Sequence, residues 1–162
     1  MACEAIAIAN YFLDLATRDK RTLDPMKIQK LVYFAHGWYL ATRKRPLLIE
    51  FVEAWPYGPV IPSLYHEFKR YGTRPIAAKA IAFDGRGEVI TPNVYDCDVQ
   101  DLLNWVWEVY GSFSAIQLSN LTHDPGSPWD KVYSQNEGRR GIDIPDEVIQ
   151  EYFTSVLLPA TV

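Results

Sequence analysis

Apolar residues fall at helical spacing through most of this chain. Ile8, Tyr11, Phe12 and Leu15 share one face, which predicts a helix over 3–18. Asp24 followed by Pro25 is a helix start. The aspartate can accept from free first-turn amides, and proline at the first helical position forfeits no bond. From there Ile28, Leu31, Val32, Ala35, Trp38 and Tyr39 form a wide stripe that runs to about Arg43. A helix so apolar and aromatic is expected at the centre of the molecule.

The pattern then changes. Residues 49–55 alternate imperfectly and are rich in Ile, Phe, Val and Trp, which predicts a short strand ended by Pro56, Gly58 and Pro59. A helix over about 61–71 carries Ile61, Leu64, Tyr65 and Phe68, with Gly72 as its stop. Residues 80–83 and 88–91 flank Asp84-Gly85-Arg86-Gly87, a hairpin signal. Strand 49–55 and this hairpin are expected to form one small, mainly antiparallel sheet.

The C-terminal half is helical again. Val99, Leu102, Leu103, Val106 and Tyr110 share a face that Gly111 ends. Ser114 and Gln117 fit a capping box, for a helix ending near Thr122. Ser127-Pro128 opens another helix. Pro145 opens the last, with Ile149, Tyr152, Phe153, Val156 and Leu157 inward and Pro159 as its stop. The expected fold class is α+β: a mostly helical single domain of about seven helices with a small antiparallel sheet of about three short strands.

Composition narrows the function. A chain of 162 residues has the length of one domain, with a core that needs no disulfide or metal. Five Trp, ten Tyr and seven Phe make either a large core or a core plus an adhesive face. The net charge of −4 opposes phosphate-backbone binding. The clusters Arg18/Lys20/Arg21 and Arg43/Lys44/Arg45 read as solvated helix ends, where cations favour the dipole. Two distant cysteines, Cys3 and Cys97, form neither a disulfide framework nor a zinc ribbon and fit a reduced cytosol. No secretory leader pattern and no run of 18 apolar residues is visible. A cytoplasmic protein is expected.

The chain carries little recognisable catalytic chemistry. Cys3 is expected at a mobile terminus, and Cys97 sits among Asp96 and Asp98, an anionic setting that opposes a thiolate. His36 and His66 lack metal-ligand spacing. His36 reads as half-buried and His66 as exposed. No Walker A or G-x-G-x-x-G string is present. No catalytic residue, cofactor or metal ligand is therefore expected. Two strings keep two readings each. Thr122-His123 with Ser127-Pro128-Trp129 is either a rigid corner or a partner-facing patch. In the corner reading, one His123 ring nitrogen bonds a carbonyl, the other a carboxylate, and Trp129 covers the ring. Glu53 to Val60 is a stiff turn whose Trp55 and Tyr57 are either core or interface anchors.

In order along the chain stand Lys27-Ile28-Gln29-Lys30-Leu31, Tyr33-Phe34-Ala35-His36-Gly37-Trp38, Ala54 to Val60, Ser114-Ala115 with Leu118-Ser119, and Thr122-His123 with Pro128-Trp129. Together they resemble the Panacea antitoxin domain, also called the SocA-like or GepA-like family. The resemblance spans roughly 25–135. It departs from the family pattern at Ile28, where Leu is commoner, and at His36, where Gln is commoner. Residues 73–97 carry no match. The resemblance implies one Panacea-like domain over 1–162. It implies a non-enzymatic antitoxin of a bacterial or phage toxin–antitoxin pair that neutralises a protein toxin by direct contact. The alternatives are an adaptor delivering a toxin to a cytosolic protease, and an uncharacterised hydrolase using His123. Some family members add a DNA-binding domain, for which this chain has no length, so no direct DNA binding is expected. Partner contacts are expected around Trp55 and Tyr57, with Lys27, Lys30 and Glu53 as a polar rim, Trp38 on the supporting helix, and His123 with Trp129 beside them.

Overall fold

The computed structural model describes residues 1–137, 139 and 141–157. Its helices are α1 (Ala5–Arg18), α2 (Pro25–Arg43), α3 (Pro62–Phe68), α4 (Cys97–Tyr110), α5 (Ala115–Thr122), α6 (Pro128–Gln135) and α7 (Asp146–Leu157). Its strands are β1 (Val52–Trp55), β2 (Gly58–Val60), β3 (Ala82–Phe83), β4 (Val89–Ile90) and β5 (Ile142–Ile144). The helix expected over 61–71 is α3 followed by a 3-10 turn, Lys69–Tyr71. Pro159, expected to end α7, lies outside the described residues.

The chain folds around α2. Every residue from Ile28 to Ala41 is buried, so this helix has no solvated face over that span. Asp24 caps its start: its Oδ1 accepts from the Lys27 amide at 2.8 Å. Helices α7, α5 and α4 pack on α2 most extensively. Gly37 makes the α7 contact possible, because a Cβ there would overlap the Phe153 ring. Much of the aromatic excess is spent here. Phe34 stacks on Tyr110 at 4.5 Å, and Tyr33, Phe34 and Trp38 all meet Phe153 edge to face.

The sheets differ from expectation in their partners. The three-stranded sheet has the order β2-β1-β5, with both pairings antiparallel. The 80–91 hairpin forms, but as a separate two-stranded sheet, β3-β4, that does not join β1. Pro56 and Gly58 end β1, but Gly58–Val60 returns at once as β2. Pro59 is tolerated because β2 is an edge strand. Strand β5 gave no sequence signal. It is three residues long and is recruited by pairing Ile144 with Val52 and Ile142 with Ala54.

Two further expectations are corrected, and one anchor is new. Cys3 is pinned, not mobile: its amide donates to the Leu47 carbonyl at 2.7 Å, and its carbonyl accepts from Ile49. His36 is fully buried. Its Nδ1 accepts from the Leu48 amide, so Nε2 carries the proton and donates to Asp146 at 2.9 Å. Segment 73–97 is anchored by a residue the pattern hid. Buried Asn10 donates to the carbonyls of Ala80 and Pro92 and accepts from the Ala80 amide. The hairpin beyond this anchor is solvated, with Phe83 67% exposed.

Candidate functional site

The site is built on the two-residue connection between β1 and β2. Trp55 pairs with Gly58, leaving Pro56 and Tyr57 at the tip. Primed turns, which match strand twist, need a positive φ at the first central position, and proline forbids it. Tyr57 is not in the left-handed region either. A turn of this kind tends to splay its strands, so the hairpin needs ties from outside.

Four side chains supply them. Lys30 Nζ donates to the carbonyls of Tyr57 at 3.0 Å and Pro59 at 3.1 Å. Ser119 Oγ donates to the Tyr57 carbonyl at 3.4 Å. Trp129 Nε1 donates to the Trp55 carbonyl at 2.6 Å. Gln29 secures the end of β2 from both sides, donating to the Ile61 carbonyl and accepting from its amide. Gly58 allows this close approach. Its φ is +112°, and a Cβ there would meet Lys30 Nζ at 2.8 Å and Thr122 Oγ1 at 3.0 Å.

The 122–129 corner is one of these ties. Ser127 Oγ donates to the Thr122 carbonyl and accepts from the Asp130 amide, so one hydroxyl ends α5 and starts α6. His123 Nδ1 donates to the Ser119 carbonyl at 2.6 Å, and the ring lies 4.2 Å from Trp129. The expected carbonyl bond and the Trp129 cover are present. No carboxylate takes the other ring nitrogen among the described residues. Thr122 Oγ1 lies 3.3 Å from Nδ1 but donates to the Ser119 carbonyl at 2.6 Å, so it is not poised as a nucleophile. No group of three or more His, Cys, Asp or Glu is placed to hold a metal among the described residues.

The predicted site residues therefore separate. Lys30, Glu53, Trp55, Tyr57, His123 and Trp129 come together at the turn. Tyr57 is 76% exposed and Trp55 is half-buried, with its indole donating to Glu53 Oε2 at 2.8 Å and its ring 4.9 Å from Tyr65. Lys30 is not a rim residue. Only 2% of it is exposed, and burial pushes its ammonium down to about 7. The two carbonyls oppose that trend, because they favour the charged form. Lys27 is not at the rim either. Its Nζ donates to the Gly111 carbonyl at 2.6 Å, at the C-terminal end of α4, and burial lowers its pKa. Trp38 lies in the core, donating to the Tyr110 hydroxyl. Gln29, Gly58 and Ser119 complete the site without having been singled out by residue type.

Beside the turn runs a groove of about 310 Å³, lined by Met26, Lys30, Trp55, Val60, Tyr65 and Lys69 among others. Among the described residues no acidic side chain lines it. The acids within two chain positions of its lining residues are engaged elsewhere: Asp24 at the α2 cap, Glu53 on the Trp55 indole, and Glu67 with Arg70 at 4.0 Å.

The described residues form an α+β domain that holds an aromatic turn against its central helix. The chain belongs to the antitoxin SocA-like, Panacea domain family, whose model matches residues 28–130. It is 36% identical over 156 residues to Antitoxin SocA of Caulobacter vibrioides (strain NA1000 / CB15N), covering 93% of this chain and 82% of that protein. No solved structure shows a significant match. No described helix is long and apolar enough to cross a membrane.

Proposed function

We propose that this protein is a non-enzymatic, cytoplasmic antitoxin that neutralises a protein toxin by stoichiometric contact. Family membership supports the antitoxin role. The observation that carries the contact face is Tyr57, a large ring held in solvent on a turn whose backbone is tied at Trp55, Tyr57 and Pro59. A pre-ordered aromatic anchor loses little entropy on binding. The test is genetic and then biochemical. Each reading frame adjacent to the gene is induced alone and with this chain. A frame that arrests growth alone and is rescued by co-expression supports the reading, and a purified one-to-one complex establishes direct contact. Rescue without any complex sinks masking by contact.

The apolar hairpin favours a second reading, as an adaptor that presents a toxin to a protease. Such a protein must hold two partners, and Ile81, Phe83 and Val89 supply an exposed apolar face on an element distinct from the turn. In that case the toxin's half-life in cells shortens when the antitoxin is present. Masking alone leaves it unchanged or longer.

A further inference from the structure

We infer that the groove beside the turn receives an acidic–aromatic segment of the partner, a Glu or Asp side chain next to a large ring. The partner's identity as a toxin rests on the antitoxin reading above. The ligand class rests on the groove alone.

The groove's walls are apolar and aromatic: Met26 and Val60, with Trp55 and Tyr65 in edge contact. Such walls accept a ring and reward its burial. Its charges are of one sign. Lys69 is exposed at the start of the 3-10 turn after α3, and Lys30 is buried in α2. An ammonium carries three donors, and Lys30 uses two, both on neutral carbonyls. No acidic side chain pairs with it among the described residues. A buried charge without a counter-charge is costly, and the field of that charge reaches further in a low-dielectric interior than in water. A carboxylate entering the groove would be the first anion to offset it. Lys69 would hold the same anion from the solvent side. A neutral apolar segment would fill the walls and leave the cation uncompensated. A basic segment would be repelled.

The test is a titration of the full chain, labelled with ¹⁵N, by three small probes: Ac-Glu-Phe-NH2, Ac-Gln-Phe-NH2, and Ac-Gln-Phe with a free terminal carboxylate. The expected result is movement of the Met26, Gln29, Lys30 and Lys69 amides, with the Glu probe at least about fivefold tighter than its Gln counterpart. Lys69→Gln should shrink that preference and Lys30→Met should remove it. Lys69 is exposed, so its variant decides the matter if Lys30→Met fails to fold. Equal binding of the Glu and Gln probes, no binding at all, or a preference unchanged in Lys69→Gln would overturn the inference. Tighter binding of the free terminal carboxylate would overturn its assignment to a side chain. Growth rescue is scored separately. A chain that rescues but shows no preference loses only this inference, and one that shows the preference but rescues no frame loses only the antitoxin reading.

Discussion

Replacing Lys30 with Met should change how stability depends on pH more than it changes stability at any one pH. In the folded chain the Lys30 pKa is lowered from 10.5 to about 7 by burial. Between those values the unfolded chain binds more protons than the folded one, so folded-state stability rises with pH. The penalty is fully present below pH 7 and fully relieved above 10.5. Its whole size is on the order of 5 kcal/mol, at about 1.4 kcal/mol per pKa unit. Between pH 7 and pH 9 the gain is about 2 kcal/mol. Met keeps the unbranched stem and removes the charge, so this slope should vanish. At pH 7 two effects oppose each other. The variant sheds the buried charge but leaves the Pro59 carbonyl without its donor, a loss of about 1–3 kcal/mol. The decisive quantity is therefore a difference of differences. Urea unfolding, followed by tryptophan fluorescence at pH 7, 8 and 9, should show wild type gaining about 2 kcal/mol on the variant across the range. Parallel profiles would mean that Lys30 is as charged in the folded chain as in the unfolded one, and the lowering of its pKa by burial would be refuted.

Other perturbations address other parts of the fold. His123→Ala removes one of the two donors to the Ser119 carbonyl, the other being Thr122 Oγ1, and should cost about 0.5–1.5 kcal/mol in a melt; an unchanged melting temperature would show that the corner does not need the ring. Gly37→Ala places a methyl group in the Phe153 ring and should cost at least about 1–3 kcal/mol, while a neutral melt would mean that α7 moves freely off α2. Asn10→Ala removes three bonds to residues 80 and 92 and should cost about 2–4 kcal/mol. In that variant, hydrogen exchange should rise at the Ala80 amide, and unchanged protection there would contradict the anchor. Asp143→Asn relieves the like charge facing Glu53 across β1 and β5 and should stabilise by about 0.2–1 kcal/mol; a destabilised variant would assign Asp143 a bond that it does not make among the described residues.

The helices were legible in the sequence because their starts are written in side-chain chemistry. Asp24-Pro25, Ser114 with Gln117, and Ser127-Pro128 each cap the helix that they announce. The sheet was half legible. Strand β1 and the Asp84-Gly85 hairpin carry local signals, but β2 and β5 are three residues each and exist only through pairing with β1. Periodicity cannot report a strand whose only support is tertiary. The same limit applies to the site. Trp55, Tyr57, His123 and Trp129 were visible as unusual residues on a turn and a corner. That one corner would tie the other, through the Trp129 indole and the Trp55 carbonyl, is a contact across 74 positions. The lysines misled for a physical reason. A lysine at the start of a helix reads as solvated, and only the folded chain shows Lys27 bonded to Gly111 and Lys30 clamped beneath the turn. Asn10 was hidden likewise, inside an otherwise apolar helix face.

The central claim, that a protein toxin docks on the turn around Tyr57, is tested most directly by Tyr57→Ala in two assays run together. The side chain is exposed and its ring has no stacking partner among the described residues. The variant should therefore melt within about 0.5 kcal/mol of wild type. In cells expressing a toxic frame that the wild-type chain rescues it should fail to restore growth, and the purified proteins should no longer form a one-to-one complex. Full rescue and an intact complex with Tyr57→Ala would contradict the account and move the interface off the turn, to the apolar hairpin formed by β3 and β4.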